Sequence, residues 1–466
     1  MKVTLQLVIE AENGTPTTVQ EVGQLEREGL QPESLGLKLD EAKDLLQALQ
    51  RVLVEEQVRA ALAQQAPCPQ CGAVQRHKDA RTIAVRTLFG ILRLPSPRWY
   101  RCRCRPAETQ TFSPLAELLP ERTTPELLYL EAKFAGLVAN GLSAKLLGEI
   151  LPLGRPLHAS AVRRHVQTTA QRLEDELGSE QAMFLEGCQR EWDGLPRPEL
   201  PLTVGLDGGY VHACAQRSKR EGWFEVIAGK SMPAEGPARC FSFVQTYDTK
   251  PKRRLFELLK SQGMQANQQI TFLTDGGEDV RELPLYLNPQ AEHVLDWFHL
   301  AMRLTVMGQM AKGLGSGGRE DLGSEAARQL ERLKWCLWHG NLFRALQIVE
   351  DLEEDLQLEE AGPEQRKLLR ALREFDGYLR ANGAWIPNYG ERQRNEETIS
   401  SAFVESTINQ VVSKRMVKRQ QMRWTPRGAH LLLQVRTRVL NEELRAAFRR
   451  WYPRFDHVAD GRELAA

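Results

Sequence analysis

Three carboxylates and four thiols in this chain stand in settings that suit held chemical groups better than solvated surface. Pro201-Leu-Thr-Val-Gly-Leu-Asp207-Gly-Gly and Gln269-Ile-Thr-Phe-Leu-Thr-Asp275-Gly-Gly share one layout: a short β-rich run, an acid at its end, then two glycines. An acid at the end of a buried strand is rigidly placed, and small neighbours admit a backbone or a metal at close range. Asp-Gly is equally a hairpin-turn signal, but the repeated layout favours a site. A third acid, Glu405, sits in Thr398-Ile-Ser-Ser-Ala-Phe-Val-Glu-Ser-Thr-Ile-Asn-Gln-Val-Val-Ser-Lys-Arg. That stretch reads as a helix with Ile399, Phe403, Ile408 and Val412 on its packed side, although an exposed Glu is also compatible with it. Ionised acids placed together repel, and cations between them relieve the repulsion.

The thiols form two close pairs, Cys68-Pro-Gln-Cys71 before Gly72, and Cys102-Arg-Cys104. Thiolates so spaced on tight turns can face one tetrahedral ion, and four of them suit a structural Zn²⁺; free cysteines near one another by chance are the alternative. Strand-like pieces between the pairs, Thr82–Thr87 and Gly90–Leu94, match a zinc ribbon. The ribbon is basic: Arg76, His77, Lys78, Arg81, Arg86, Arg93, Arg98, Arg101, Arg103 and Arg105 fall in it, with Trp99 and Tyr100 among them. This is either a phosphate-contacting surface or a solvated face. Cys188, Cys214, Cys240 and Cys336 are isolated and read as small buried apolar residues.

Leu142–Leu151 is a short amphipathic helix, broken by Pro152-Leu-Gly-Arg-Pro. A second helix follows from about His158, with Ser160 as a candidate N-cap. Val162 and Val166 would pack inward while Arg163, Arg164, His165 and Gln167 reach out, the pattern of a major-groove recognition helix or of a basic helical hairpin. Beyond Glu405, Lys414, Arg415, Lys418, Arg419, Arg423 and Arg427 occur with no acid between them and with Trp424 among them. Such a run binds phosphates, and the indole could stack on an unpaired base. Glu350–Glu360, strongly acidic, reads as solvated surface away from DNA.

The elements that must hold these groups follow from periodicity. Val3, Leu5, Leu7 and Ile9 alternate as in a short strand, and Leu39, Leu45, Leu46, Leu49, Leu53 and Val54 recur at helical spacing. Residues about 106–190 look helical, short apolar runs begin near 200, and long helices return after His299. Gly313–Ser324 and Pro196–Pro201 read as loops. The 466 residues imply about two to four domains. A net charge of +1 means that any nucleic-acid surface must be local. No secretory apolar core and no run near the ~20 residues of a membrane span is present, so the chain is expected to be intracellular, cytoplasmic and nucleoid-associated, with no membrane partner.

LDGG at Asp207, TDGG at Asp275, Val294-Leu-Asp-Trp-Phe-His299 and VESTINQVVSKRMVKRQQMRW around Glu405 together resemble DDE transposases of bacterial insertion sequences, most closely the ISKra family, related to the Mutator-like group. The resemblance covers about residues 60–450. It implies a multidomain α+β chain: an N-terminal strand/helix region (1–65), a zinc ribbon (66–105), a helical, helix-turn-helix-like DNA-binding domain (106–195), an RNase H-like α/β core (196–300), an all-helical insertion (301–395), and the remainder of the core with the Glu helix and basic C-terminal helices (396–466). In that fold the first Asp ends the first strand, the second ends the fourth, and the Glu lies on a later helix. Glu278 and Asp279 compete with Asp275, and Glu396 and Glu397 with Glu405. Asp296 and His299 match the family's acid-x-x-His element. Asp296 is otherwise a helix N-cap, and His299 a core histidine.

The implied activity is DNA transposition. Asp207, Asp275 and Glu405 would hold Mg²⁺ (or Mn²⁺), the thiols would hold Zn²⁺, and the partner would be double-stranded DNA at element ends and target, bound by a homodimer or larger assembly. Two cations about 4 Å apart can activate an oxygen nucleophile, neutralise the phosphorane and stabilise the leaving oxygen. Two other readings use the same residues: an RNase H-like nuclease without strand transfer, and a transposase-derived DNA-binding regulator without catalysis.

Overall fold

The computed structural model describes residues 1–9, 18–65, 67–104, 111–181, 184, 187–196, 202–214, 222–233, 235–277, 291–316, 320–357, 362–417 and 423–456. The chain is mixed α+β and divides into two compact units, residues 1–169 with 442–466, and residues 170–441. Among the described residues no helix is long and apolar enough to cross a membrane.

In the first unit the alternation at Val3–Ile9 forms β1 (Lys2–Ile9), which pairs antiparallel with β2 (Thr18–Glu26), a strand that periodicity alone did not announce. The expected helix is α1 (Leu39–Gln65). The two strand-like pieces between the cysteine pairs lengthen into one antiparallel hairpin, β3 (His77–Thr87) and β4 (Gly90–Tyr100), to which β5 (Thr111–Phe112) adds an edge. Period-two alternation sends Val85, Leu92 and Leu94 to one face, where Val58 of α1 and Leu115 of α2 (Pro114–Leu118) complete a small core. A second core joins α3 (Pro125–Leu137) and α4 (Asn140–Ile150) through Leu127, Leu147 and Leu153. α5 (Ala159–Glu176) follows. A C-terminal helix (Leu444–Trp451) belongs to this unit and sets Phe448 edge-on to Tyr129, with ring centroids 5.5 Å apart.

The second unit begins with the short α6 (Gln189–Asp193) and is built on a five-stranded sheet of order β10-β9-β6-β7-β8. β6 (Leu202–His212), β7 (Trp223–Met232) and β8 (Arg239–Val244) form an antiparallel meander. After α7 (Pro251–Ser261) the chain returns as β9 (Ile270–Thr274) and β10 (Ala291–Leu295), each parallel to its inner neighbour. Leu202, Val204 and Leu206 of β6 share a core with Leu255 and Leu259 of α7. The alternate residues of β6, Gly205, Asp207 and Gly209, face the opposite side of the sheet.

Long helices follow: α8 (Trp297–Ser316), α9 (Glu320–Trp338), α10 (Leu342–Leu356) and α11 (Pro363–Asn382). Their apolar faces share one core with Leu273, Val294 and Leu295 of β9 and β10. The loop expected at Gly313–Ser324 is largely helix, because α8 runs on to Ser316 with Leu314 buried and α9 starts at Glu320. After α12 (Tyr389–Arg394) come α13 (Ala402–Ile408), a π-helical stretch (Asn409–Val417) and α14 (Pro426–Leu440).

Candidate active site and thiolate cluster

The parallel ladder between β6 and β9 pairs Leu202 with Ile270 and runs to Gly205 opposite Leu273. Its offset of 68 is also the separation of Asp207 and Asp275, so the two acids stand at one level of neighbouring strands, just past the last ladder pair. The β9–β10 ladder ends at Leu295 opposite Thr274, and the same step places Asp296 beside Asp275. Three aspartates thus form a row from the middle of β6 across the carboxyl ends of β9 and β10, with strands about 4.8 Å apart. Such an edge is where open α/β sheets bind ligands. Asp207 does not end its strand as expected. β6 continues to His212 because β7 still pairs with it, Asp207 opposite Ala228, and this removes the hairpin-turn alternative there. Asp275 does follow the last residue of its strand. Gly276 then takes φ +81, and a Cβ on it would collide with Asn382. Glu278 and Asp279 lie outside the described residues.

Burial pushes the Asp207 carboxyl above its ordinary range. The charges of Asp275 and Asp296 push the same way, against the pull of His299 and the Gly208 N–H. Asp207 Oδ1 accepts from Gly208 N at 2.7 Å and Asp275 Oδ1 from Gly277 N at 3.0 Å. Both aspartates are half-buried. Tyr378 of α11 braces the row by donating to the Asp275 carbonyl at 2.8 Å.

Asp296 is fully buried and its oxygens are used by the protein. They accept from Phe298 N (2.8 Å), Ser401 N (3.0 Å) and, in a very short contact, the Ser401 hydroxyl. Asp296 precedes α8 and Ser401 is the N-cap of α13, so one carboxylate sits at two helix N-termini, whose partial positive charges offset its burial. The N-cap alternative therefore describes Asp296, and the same group also ties the aspartate row to the helix that carries Glu405. His299 Nε2 lies 3.6 Å from Asp296 Oδ2.

α13 packs on the Asp207 face of β6. A methyl on Gly205 would strike Val404 and Phe403, and one on Gly209 would touch Ile408. The glycines flanking Asp207 are the reason the helix can lie so close. Glu405 follows Val404 and is exposed. Among the described residues, Asp207, Asp275 and Glu405 are not gathered within 4.8 Å of one another. Glu397 is paired with Arg392 at 2.8 Å and Glu396 sits in a left-handed turn, both before the helix.

The basic tail needs two corrections. Arg415 is wholly buried and Trp424 nearly so, with the guanidinium 5.5 Å from the indole centroid. Trp424 is fixed by its backbone, its N–H donating to His212 O and its carbonyl accepting from Cys214 N. The π-helical winding redistributes which side chains turn inward. Arg436 reaches back to the Gln410 and Val411 carbonyls within that stretch. Burial, helped by Arg436, pulls Arg415 down to about 10. Neither residue is placed to meet DNA. Lys414 and Arg423 are exposed, and Lys418 and Arg419 lie outside the described residues.

Glu174, Asp248 and His430 also lie within metal-ligand distance of one another. No sequence signal marked them, since they come from three distant segments. The Arg254 guanidinium stands among them, 2.9 Å from Glu174 and 2.9 Å from Asp248, and fills the place a cation would take. Burial raises the Glu174 carboxyl, but His430 and Arg254 outweigh it and hold it at about 2.

In the first unit Cys68, Cys71, Cys102 and Cys104 converge, with Sγ pairs at 3.4, 3.6 and 3.7 Å. A tetrahedron with Zn–S bonds of about 2.3 Å has edges of about 3.8 Å, so the donor set fits zinc. Backbone N–H groups of Gln70 and Cys71 aim at Cys68 and hold it at about 6. Cys102, burial and the other thiols push Cys104 up to about 12, a repulsion that a cation relieves. The remaining cysteines are not buried as expected: Cys188 and Cys214 are exposed and Cys240 and Cys336 half-buried.

In α5, Val162 and Val166 are buried and Arg163 and Arg164 exposed, with Gln167 half-exposed. His165 instead turns to Glu131 of α3 in a very short contact. The helix starts at Ala159, so His158, not Ser160, holds the N-cap position and accepts from Ala161 and Val162. The α4–α5 connection, residues 151–158, is longer than the three or four residues of a helix-turn-helix turn. In the ribbon, Arg98 pairs with Asp79 and Arg101 with Glu117 (3.3 Å), Trp99 is buried, and Arg105 lies outside the described residues.

No family model matches the chain, and no curated protein matches it. Among solved structures it is similar to the Drosophila P element transposase strand transfer complex, at 10% identity over 69% of this chain and 93% of that one. The TM-score of 0.32 is too low for that likeness to carry weight.

Proposed function

We propose that this chain is a DNA transposase of the DDE type, of the insertion-sequence, ISKra-like kind, with an RNase H-like catalytic core. The observation that carries the proposal is the row of Asp207 and Asp275 at one level of adjacent parallel strands, with the Glu405 helix packed on the Asp207 face through Gly205 and Gly209. The strand order supports it. The first acid lies on the first strand of the sheet, the second directly after the fourth, and the third on a later helix, as the family resemblance implies.

Asp207 and Asp275 would hold Mg²⁺ (or Mn²⁺), with Glu405 as the third carboxylate. Burial and like charge leave Asp207 short of cationic partners, and hard oxygen donors suit these ions. Two cations about 4 Å apart do not require three carboxylates to meet within one small sphere. When bound, they supply an activated oxygen nucleophile and neutralise charge at the phosphorus. His299 would donate to a phosphate oxygen or hold Asp207 ionised. Asp296 would position α13, and so Glu405, through Ser401. Phosphodiester hydrolysis at the element end frees a 3′-OH, which attacks a target phosphodiester and displaces its 3′ oxygen. Each step exchanges one P–O bond for another.

The test is strand cleavage of a duplex carrying the DNA that flanks this gene, with Mg²⁺ or chelator, by wild type, Asp207→Asn and Glu405→Gln. Mg²⁺-dependent nicking at one position, lost by about 10²–10³-fold in both variants, is expected, the scale of removing one catalytic group. Specific binding without cleavage in Mg²⁺ or Mn²⁺ would instead make the chain a DNA-binding regulator. Cleavage without joining to a target duplex would make it a nuclease.

A further inference from the structure

The first unit contains an open cleft of about 730 Å³ that neither the thiolate cluster nor the α5 face accounts for. Three elements line it: α1 with Arg51 and Asp44, the hairpin β3–β4 with Arg86 and Arg93, and the α4–α5 connection with Arg155 and His158. Some arginines of this unit pair with acids, Arg27 with Glu41 at 2.6 Å, Arg59 with Glu56 at 2.8 Å and Arg101 with Glu117 at 3.3 Å. Among the described residues the four cleft arginines have no side-chain hydrogen bond or ion pair. Four exposed guanidiniums held against one carboxylate make a strong positive concavity, and field lines concentrate in such a cleft.

The cleft is held in shape. Gln47 donates to the Pro152 carbonyl at 2.8 Å, and Lys43 to the Glu149 carbonyl at 2.7 Å, both from α1. Gly154 (φ +73) and Gly90 (φ +120) lie against one another, so that the α4–α5 connection rests on the hairpin turn. Ala161 of the first turn of α5 also lines it, next to the N-cap His158. The first N–H groups of an α-helix lack intrahelical acceptors and favour an anion.

We infer that this cleft seats the phosphate backbone of duplex DNA, so that α1, the ribbon hairpin and the α4–α5 connection form one composite clamp rather than two separate binding modules. The inference rests on the DNA reading above. Guanidiniums from three elements line the cleft, a wider spread of positive charge than the few polar groups that orient a small ligand. From its edge α5 runs on with Arg163 and Arg164 exposed. A backbone seated in the cleft would set the register of those side chains, because phosphate contacts position and base contacts specify.

The experiment uses the full chain with zinc bound and measures duplex affinity across salt concentration, for wild type, Arg86→Gln/Arg155→Gln, Arg51→Gln/Arg93→Gln and Arg59→Gln. Each lost phosphate contact lowers the slope of log K against log salt by about one. Each double variant is expected to lose about two units and to bind all sequences more weakly alike, while Arg59→Gln keeps the wild-type slope. Unchanged zinc content would show that the variants remain folded. A wild-type slope in both double variants would overturn the clamp. Failure of wild type to bind duplex even at low salt would overturn the DNA reading itself. Displacement of the duplex by millimolar inorganic phosphate at constant ionic strength would mark a small-anion site and overturn the duplex as occupant.

Discussion

The thiolate cluster and the aspartate row are the two proposed metal sites, and they differ in how much of a ligand sphere the protein would supply. The four thiols lie within 4.8 Å of one another, three of their pairs at 3.4–3.7 Å, and by themselves make up a four-coordinate donor set. The row leaves Asp207 half-buried on the central strand, Asp275 half-buried just past the end of β9, and Glu405 exposed on a covering helix. A closed sphere adds stability, whereas an open one keeps positions for substrate. The difference predicts opposite responses to removing the ion or the ligand.

The largest effect belongs to the closed set. Structural zinc binding contributes on the order of 10–16 kcal/mol to small zinc domains. Cys68→Ser, or exposure to a strong chelator, is expected to release one zinc per chain and to erase hydrogen-exchange protection across β3 and β4. A hairpin that stays protected without zinc would break the comparison, because the cores around Val85 and Leu94 would then suffice alone.

This contrast also explains what could be read from the sequence. The cysteine pairs were legible because each knuckle is local, and the hairpin between them alternates with period two. The strands carrying Asp207 and Asp275 were legible for the same reason, and their shared level followed once the offset of the ladder was known. Other features depend on contacts between residues far apart in the chain. Arg415 belongs to a run that looks solvated, yet the indole of Trp424 and the approach of Arg436 enclose it. His165 looks outward by helical period, but Glu131 of another helix draws it in. Arg254 sits in a charged run, and its four partners, Glu174, Asp248, His430 and Gln434, come from three segments. A charged residue near the right face of a helix can point either way, and the choice is made by a partner that periodicity does not name.

Within the row itself the members should separate. Asp296 is the aspartate whose oxygens are taken up by the protein. Asp296→Ala strands the Ser401 and Phe298 N–H groups in a buried place and removes the charge that faces two helix N-termini. A loss of about 3–5 kcal/mol in urea unfolding is expected. Asp296→Asn keeps an acceptor and should cost about half as much. If both variants unfold like wild type, α13 is held by its apolar face alone, and Asp296 has no positioning role.

Asp207 should respond with the opposite sign and a smaller size. Its carboxyl is raised in the folded chain by burial and by Asp275 and Asp296, so the folded state binds the proton more tightly than the unfolded one. Stability is then fullest below the unfolded value near 4 and falls as pH rises toward the raised folded value. Asp207→Asn removes that fall. Without divalent ions at neutral pH, the variant is expected to be more stable than wild type by roughly 0.5–2 kcal/mol, the scale of a single stabilising substitution. Added Mg²⁺ should stabilise wild type by mass action and leave the Asn variant unmoved, so that thermal melts with and without Mg²⁺ change their order. A variant less stable than wild type in both conditions would mean that Asp207 is held by the fold as Asp296 is. The row would then be structural, and its chemistry would have to lie elsewhere.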